Sequence, residues 1–207
     1  MFQRLHVHPD NPQGRLLSRA VDSIRAGGVI AVPTDACFVL AWALGAREPL
    51  ERVRAIRGLD DRHLMTLMCA DLSELSRFAR IDTRQFRFIK ERAPGPFTFI
   101  LQATRDVPRR LFHPSRRTIG LRVPDSAVIA MLLETLGEPL LSTTLQLPGD
   151  DQPMNDPDEI ESRLGKRIDA LIDSGSPGIE PTTVIDLSGE QIEIVRVGRG
   201  GPDGRAR

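Results

Sequence analysis

Short apolar runs alternate with amphipathic stretches along this chain of 207 residues. The first amphipathic stretch has apolar side chains at helical spacing, at Leu17, Val21 and Ile24, and Gly27-Gly28 ends it. The continuous apolar run that follows, over 28–33, is typical of a buried strand. Because the two patterns interleave from end to end, the chain predicts an α/β domain with helices packed on a mixed sheet.

The same patterns predict the other elements. Further strands are predicted at 38–44, 64–69, 97–103, 118–124, 140–147, 182–187 and 192–197. Further helices are predicted at 48–57, 72–78, 83–92 and 126–136, and a last one starts near 157 with Ile160, Leu164, Ile168 and Leu171 on one face. The predicted N-caps are Asp71, Thr83 and Ser126.

No linker-like break in composition divides the chain. We therefore expect one domain over residues 1–197 and a flexible, Gly- and Arg-rich tail over 198–207. The 28 basic and 28 acidic residues cancel, which argues against a protein whose main role is to coat nucleic acid or an anionic membrane, although a local basic groove remains open. Without a secretory signal or a long apolar run, the expected location is cytoplasmic, with no membrane segment.

Common catalytic signatures are absent from the sequence. There is no Walker loop, G-x-G-x-x-G, H-E-x-x-H or G-x-S-x-G motif, and two cysteines and four scattered histidines predict neither a disulfide framework nor a protein-bound metal. Arg122 is the informative exception, since it lies within a strand on the side away from Ile119, Leu121 and Val123. Its partner is a bound anion, an acidic side chain or solvent, and the same alternatives hold for Arg196.

Small polar residues at the strand ends form an ordered set of motifs: Pro33-Thr34, Pro94-Gly-Pro-x-Thr98, Thr118-x-Gly-x-Arg122-x-Pro124, Ser142, Thr183-Val-Ile-Asp186 and Arg196-x-Gly198. Each motif alone is ordinary turn chemistry. In this order the set resembles the YrdC family, the L-threonylcarbamoyladenylate synthases, and in particular its YciO branch. The resemblance extends to about Val197 and implies a twisted mixed sheet wrapped by helices, with a large concave cleft of positive potential.

The resemblance also implies a reaction. Family members convert L-threonine, bicarbonate and ATP into threonylcarbamoyl-AMP and pyrophosphate, and the product feeds the modification of adenosine 37 in tRNA. Magnesium would accompany the triphosphate. Binding of tRNA or double-stranded RNA is a further implied property.

Nine side chains match the family's motifs by position. The resemblance implies contacts to the threonine substrate from Thr34, Thr118 and Arg122. It implies contacts to the nucleotide or its phosphates from Arg57, Thr98, Ser142, Thr144, Thr182 and Arg196. Arg57 and Arg122 are the expected catalytic residues, because charge on phosphate must be stabilised in such a reaction.

Three positions depart from the synthase pattern. Arg57-Gly-Leu59 stands in place of Lys-x-Arg, Ser142-Thr-Thr144 in place of Ser-Ala-Asn, and Phe38-Val-Leu-Ala41 in place of Tyr-Gly-Leu-Gly. Losing one charged phosphate contact weakens binding about 10–100-fold. Three hypotheses therefore stay open: a slow synthase, an RNA- or nucleotide-binding paralogue without synthase chemistry, and an enzyme acting on a related carbamoyl or adenylate compound. Asp35, the one acid in the motif set, is interpreted as structural.

Overall fold

Strands and helices alternate in the computed structural model, which describes residues 2–60, 63–113 and 115–201. The strands are β1 (Gln3–His6), β2 (Ile30–Pro33), β3 (Phe38–Ala43), β4 (Thr66–Met68), β5 (Ala79–Arg80), β6 (Phe97–Ala103), β7 (Thr118–Arg122), β8 (Leu140–Thr144), β9 (Ala170–Asp173), β10 (Thr183–Asp186) and β11 (Glu193–Arg196). The helices are α1 (Gly14–Arg25), α2 (Arg47–Arg57), α3 (Leu72–Phe78), α4 (Thr83–Lys90), α5 (Ala127–Leu136) and α6 (Pro157–Leu164), with one 3-10 turn at Arg109–Leu111.

Within these ranges the eleven strands form one mixed sheet, in the order β1-β9-β2-β3-β8-β4-β7-β6-β10-β11, with β5 beside β6. Strand β9 is parallel to both of its neighbours, and β4–β7 and β6–β10 are also parallel pairs. The other neighbouring pairs are antiparallel. The predicted fold class, a mixed sheet wrapped by helices, is confirmed.

The two faces of the sheet are covered unequally. Because side chains alternate between faces, Ile119 and Leu121 of β7 join the core that packs under α2, α3, α4 and α6. On the opposite face, α1 and α5 pack over the end of the sheet that contains β1, β9, β2 and β3. Beyond those two helices the same face is open, and it is there that Gly120 and Arg122 of β7 face a cavity.

Two of the three predicted helix caps are confirmed. The side chains of Asp71 and Ser126 each accept a backbone N–H of the first turn of α3 and α5. The prediction that Thr83 caps α4 is wrong, because the cap is Asp82. Its carboxylate accepts from the Gln85 amide at 2.7 Å, while the Gln85 side chain accepts from the Asp82 amide at 2.8 Å, so the pair satisfies two otherwise free N–H groups.

The region after residue 164 differs from the predicted long helix. Helix α6 ends at Leu164, and Leu171 lies fully buried in β9, between β1 and β2. The apolar run 170–172 is too short for periodicity to separate a buried strand from a helix. Strand β1 escaped prediction because its four residues are mixed in polarity, and it forms only through its parallel pairing with β9.

The first residues of the predicted tail pack against the sheet. The Gly198 amide donates to the Thr183 hydroxyl at 2.9 Å, and Gly200 and Gly201 are buried. A side chain at Gly200 would place its Cβ 2.2 Å from the Phe97 ring, so the backbone can approach only because this residue is glycine. The rest of the predicted tail, 202–207, lies outside the described residues.

Candidate functional site

A cavity of about 220 Å³ lies on the open half of the sheet face. Its floor follows from strand register, because Thr66 of β4 lies opposite both Ser142 of β8 and Gly120 of β7. Farther along the sheet, β10 pairs with both β6 and β11, which brings Thr98 and Arg196 to either side of one strand. Every second residue of these strands therefore faces one hollow.

Seven of the nine predicted site residues line this cavity: Arg57, Thr98, Arg122, Ser142, Thr144, Thr182 and Arg196. They come from five separate elements and the segment before β10, and they meet only through the sheet order. Their convergence is an observation, whereas their contacts with threonine, nucleotide or phosphate remain predictions.

The other two predicted residues lie outside the lining of this cavity. The Thr34 hydroxyl donates to the Cys37 carbonyl at 2.8 Å and accepts from the amide of Ala36 at 3.1 Å, so it closes the turn after β2. Thr118 is buried at the start of β7, and its hydroxyl has no hydrogen-bond partner among the described residues. In this structure neither side chain is part of the cavity lining, and Thr34 instead lines a separate pocket.

Arg122 is held by an acid. Its guanidinium forms an ion pair with the carboxylate of Asp35, and the side chains are only 4% and 9% exposed. The second Asp35 oxygen accepts from the Asp125 amide at 3.1 Å. Of the alternatives open for Arg122, the structure shows the acidic partner, because a guanidinium this buried requires compensation of its charge. The structural interpretation of Asp35 is consistent with this pair.

Arg57 and Arg196 lie in the same cavity without an acid. Arg57 donates through Nη1 to the carbonyl of Gln146, and Arg196 donates through Nε and Nη2 to the carbonyl of Thr182, at 3.2 and 2.9 Å. In the described part of the chain, neither makes an ion pair with a carboxylate. Partial burial lowers the pKa of both guanidinium groups. Two partly desolvated cations without counter-charges form a receptor for an anion.

Hydroxyl groups line the same cavity as these cations. The Thr98 and Thr182 hydroxyls are 2.8 Å apart, and one donates to the other. The Ser142 hydroxyl donates to the Thr66 carbonyl at 3.1 Å. A hydroxyl that donates to the protein keeps lone pairs for a ligand, so the walls can accept hydrogen bonds while the arginines donate them.

Five polar side chains that line the cavity were not predicted as site residues: Cys37, His63, Thr66, Thr143 and Gln146. Gln146 was detectable, because it shares the alternation of Ser142 and Thr144. Burial raises the pKa of the Cys37 thiol, and Arg122 opposes that rise. Burial and Arg57 lower the pKa of His63, which lies in a connecting segment where no periodic signal exists.

The described residues contain neither a cluster of metal-ligand side chains nor a membrane-spanning helix. Among residues 2–60, 63–113 and 115–201, no group of three or more His, Cys, Asp or Glu side chains is placed to share a metal ion. Over the same ranges, no helix has the length and apolar character needed to cross a bilayer.

Known proteins match the chain over most of its length. The family model Sua5_yciO_yrdC, described by the words "telomere recombination", matches residues 22–198. YciO from Escherichia coli is 48% identical over 200 residues, which cover 97% of each chain, and its crystal structure superimposes with a TM-score of 0.95.

More distant relatives carry functional names. A threonylcarbamoyl-AMP synthase from Halorhodospira halophila is 32% identical over 173 residues, or 81% of this chain and 87% of the relative. Sua5 from P. abyssi, solved in complex with L-threonine, is 21% identical with a TM-score of 0.85 and shares the fold, with 96% of this chain covering 57% of that one. The extent of the family match and the identity to YciO show that the chain belongs to the Sua5/YciO/YrdC family.

Proposed function

We propose that the protein binds ATP and L-threonine in this cavity and makes threonylcarbamoyl-AMP from threonine, bicarbonate and ATP, with release of pyrophosphate. The observation that carries the proposal is the pair of partly buried guanidinium groups, Arg57 and Arg196, that line one cavity without an acidic partner in the described residues. Membership of the family and the name of the H. halophila relative support the choice of reaction. The threonine bound to P. abyssi Sua5 supports the choice of amino acid.

The residue types suit this chemistry. Threonine and bicarbonate give a carbamate, whose oxygen attacks the α-phosphorus of ATP while the bond to pyrophosphate breaks. The protein must align two anions and stabilise charge on phosphate, which Arg57 and Arg196 can do without forming a covalent intermediate. Hydroxyls of Thr98, Ser142 and Thr182 would orient the substrates. Mg²⁺ would arrive with the triphosphate and keep most of its ligands from phosphate and water.

Arg122 has a different part in this proposal. Because Asp35 already neutralises it, its guanidinium contributes less attraction for a phosphate than Arg57 or Arg196. We therefore assign the phosphate contacts to Arg57 and Arg196. We assign Arg122 a structural role, in which its pair with Asp35 positions the cavity wall near the turn that contains Asp35. The product would serve the modification of adenosine 37 in tRNA.

The experiment is incorporation of radiolabelled bicarbonate into threonylcarbamoyl-AMP by the full chain with ATP, Mg²⁺ and threonine. Arg57→Met and Arg196→Met should each lower kcat/KM about 10–100-fold, since each removes a charged hydrogen-bond donor. Arg105→Met is the matched control, because Arg105 is exposed and does not line the cavity, and it should keep native activity. Absence of product from the folded native protein would reject the synthase assignment.

A second candidate is a nucleotide- or RNA-binding protein without synthase chemistry. It is favoured by Leu59, which replaces the second cation of the synthase motif and packs against the apolar core. Calorimetry with ATP and filter binding with tRNA over a salt series separate the candidates. Tight ATP binding without product supports a nucleotide-binding protein, and tRNA affinity that falls steeply with salt supports an RNA-binding protein.

A further inference from the structure

His63 differs from the other histidines of the chain. His6 pairs with Asp173, while the Nδ1 atoms of His8 and His113 each accept backbone N–H groups. The imidazole of His63 has no hydrogen-bond partner within the described ranges, since only its backbone amide is bonded, to Asp60. It is also the one histidine of the four that lines the cavity.

His63 lies at the junction of two cavities. It lines the main cavity together with Arg57 and Arg196, and it lines a neighbouring cavity of about 160 Å³. Although the ring is partly buried, the residue keeps surface open to solvent, through which a proton taken up by the ring can leave. His63 therefore brings a free imidazole into the cavity in which, on the proposed function, threonine and bicarbonate would bind.

The groups that face His63 are mostly cationic. They are Arg54 and Arg57 from α2, Arg196 from β11, and Arg109 and Arg110 across the neighbouring cavity, with the thiol of Cys37 in the main cavity and Asp60 as the acid. Burial and this positive field lower the pKa of His63. The ring is therefore neutral near pH 7 and has a lone pair available to accept a proton.

We propose that His63 is the general base that accepts the proton released when threonine is carboxylated, an inference that rests on the proposed function. Threonine ammonium and bicarbonate give the carbamate, one water and one proton. One N–H bond of the ammonium breaks, its electron pair stays on nitrogen, and the proton moves to the free imidazole nitrogen. That electron pair forms the N–C bond to the carbon of bicarbonate while a C–O bond breaks, and the departing hydroxide leaves as water with a second proton from nitrogen. The imidazolium then releases this proton to solvent.

Bound ATP brings His63 closer to the basicity that this step needs. The negative charges of the triphosphate offset the positive charges of Arg57 and Arg196, which weakens the field that disfavours the imidazolium. A general base works best when its pKa is near the operating pH. Nucleotide binding thus prepares the base before threonine is carboxylated, and threonine without ATP meets a weaker base.

The kinetic test compares native protein with His63→Gln, which keeps polarity but cannot titrate. We expect kcat/KM for threonine to fall at least about 100-fold, and the pH–rate limb assigned to His63 to disappear, leaving only the limb of the threonine ammonium. Added imidazole should restore part of the rate to His63→Ala. His6→Gln is the matched control, because His6 lies on β1 with its side chain 74% exposed and outside the cavity, and it should retain the native profile.

A second measurement does not depend on turnover. Proton NMR titration of the native chain, with His63 assigned from the His63→Gln spectrum, should show its pKa rise when a non-hydrolysable ATP analogue with Mg²⁺ is added. A native rate and unchanged pH profile in His63→Gln, or a His63 pKa that ignores the analogue, overturns the base role alone. Absence of product from the native protein overturns the proposed function, and the base role with it.

Discussion

Replacing Asp35 by alanine removes the one acidic partner that Arg122 has among the described residues. The ion-paired side chains are 4% and 9% exposed, so the remaining guanidinium stays buried without compensation. Removing one partner of a buried pair costs about 3–5 kcal/mol, whereas an exposed pair contributes about 0–1 kcal/mol. At roughly 2–4 °C per kcal/mol for a chain of this size, Asp35→Ala should lower the Tm by roughly 6–20 °C.

Urea unfolding monitored by circular dichroism measures this loss. Asp35→Asn keeps an oxygen for the Asp125 amide, so it separates the lost charge from the lost hydrogen bond and should cost less than alanine. The double variant Asp35→Ala/Arg122→Leu should recover most of the stability, since no charge is left buried. Asp106→Ala is the control, because its pair with Arg77 is exposed, at 49% and 67%.

Asp35→Ala should also increase the response of the protein to ATP. In Asp35→Ala the freed Arg122 faces the cavity, so ATP should raise the Tm of this variant more than that of the native protein. A loss below about 1 kcal/mol for Asp35→Ala, equal to that of Asp106→Ala, would refute the assignment of a buried, compensating pair.

Two further predictions follow from the cavity lining. A Cβ at Gly120 would lie 3.2 Å from Thr98 Cγ2 and 3.3 Å from Thr66 Oγ1. Gly120→Val should therefore fill the cavity and abolish the ATP-dependent rise in Tm. Gly45 has open space around it, so the control Gly45→Val should preserve that rise. The pKa of His63 is lowered in the folded protein, so the unfolded chain takes up the proton first as the pH falls below 6.5. The free energy of unfolding of the native protein should therefore fall below this pH relative to that of His63→Gln. At higher pH, His63 should not affect stability. Urea unfolding at about pH 7.5 and about pH 5 measures how much the free energy of unfolding changes between the two pH values. An equal change for the native protein and His63→Gln would contradict the prediction.

Local sequence patterns predict much of the secondary structure. The bounds of α2, α3 and α5 follow closely from apolar spacing and from their caps, because those signals involve neighbours in the chain. Strands β1 and β9 escaped prediction, since a short strand is defined by its partner, and the partners here are about 167 residues apart in register, as for Gln3 and Ala170. Capping of α4 was misplaced by one residue, because Asp82 and Thr83 are both good caps and the Gln85 side chain selects the first.

By itself, the sequence determined the α/β class, the family and seven of the polar side chains that line the cavity, because motif order and alternation are properties of the chain alone. Only the tertiary structure decided which arginines lack an acid. The pairing of Asp35 with Arg122 joins positions 87 residues apart, and His63 reaches the cavity from a segment without periodicity. Charge compensation depends on distance and burial in space, and the order of residues along a chain does not specify either.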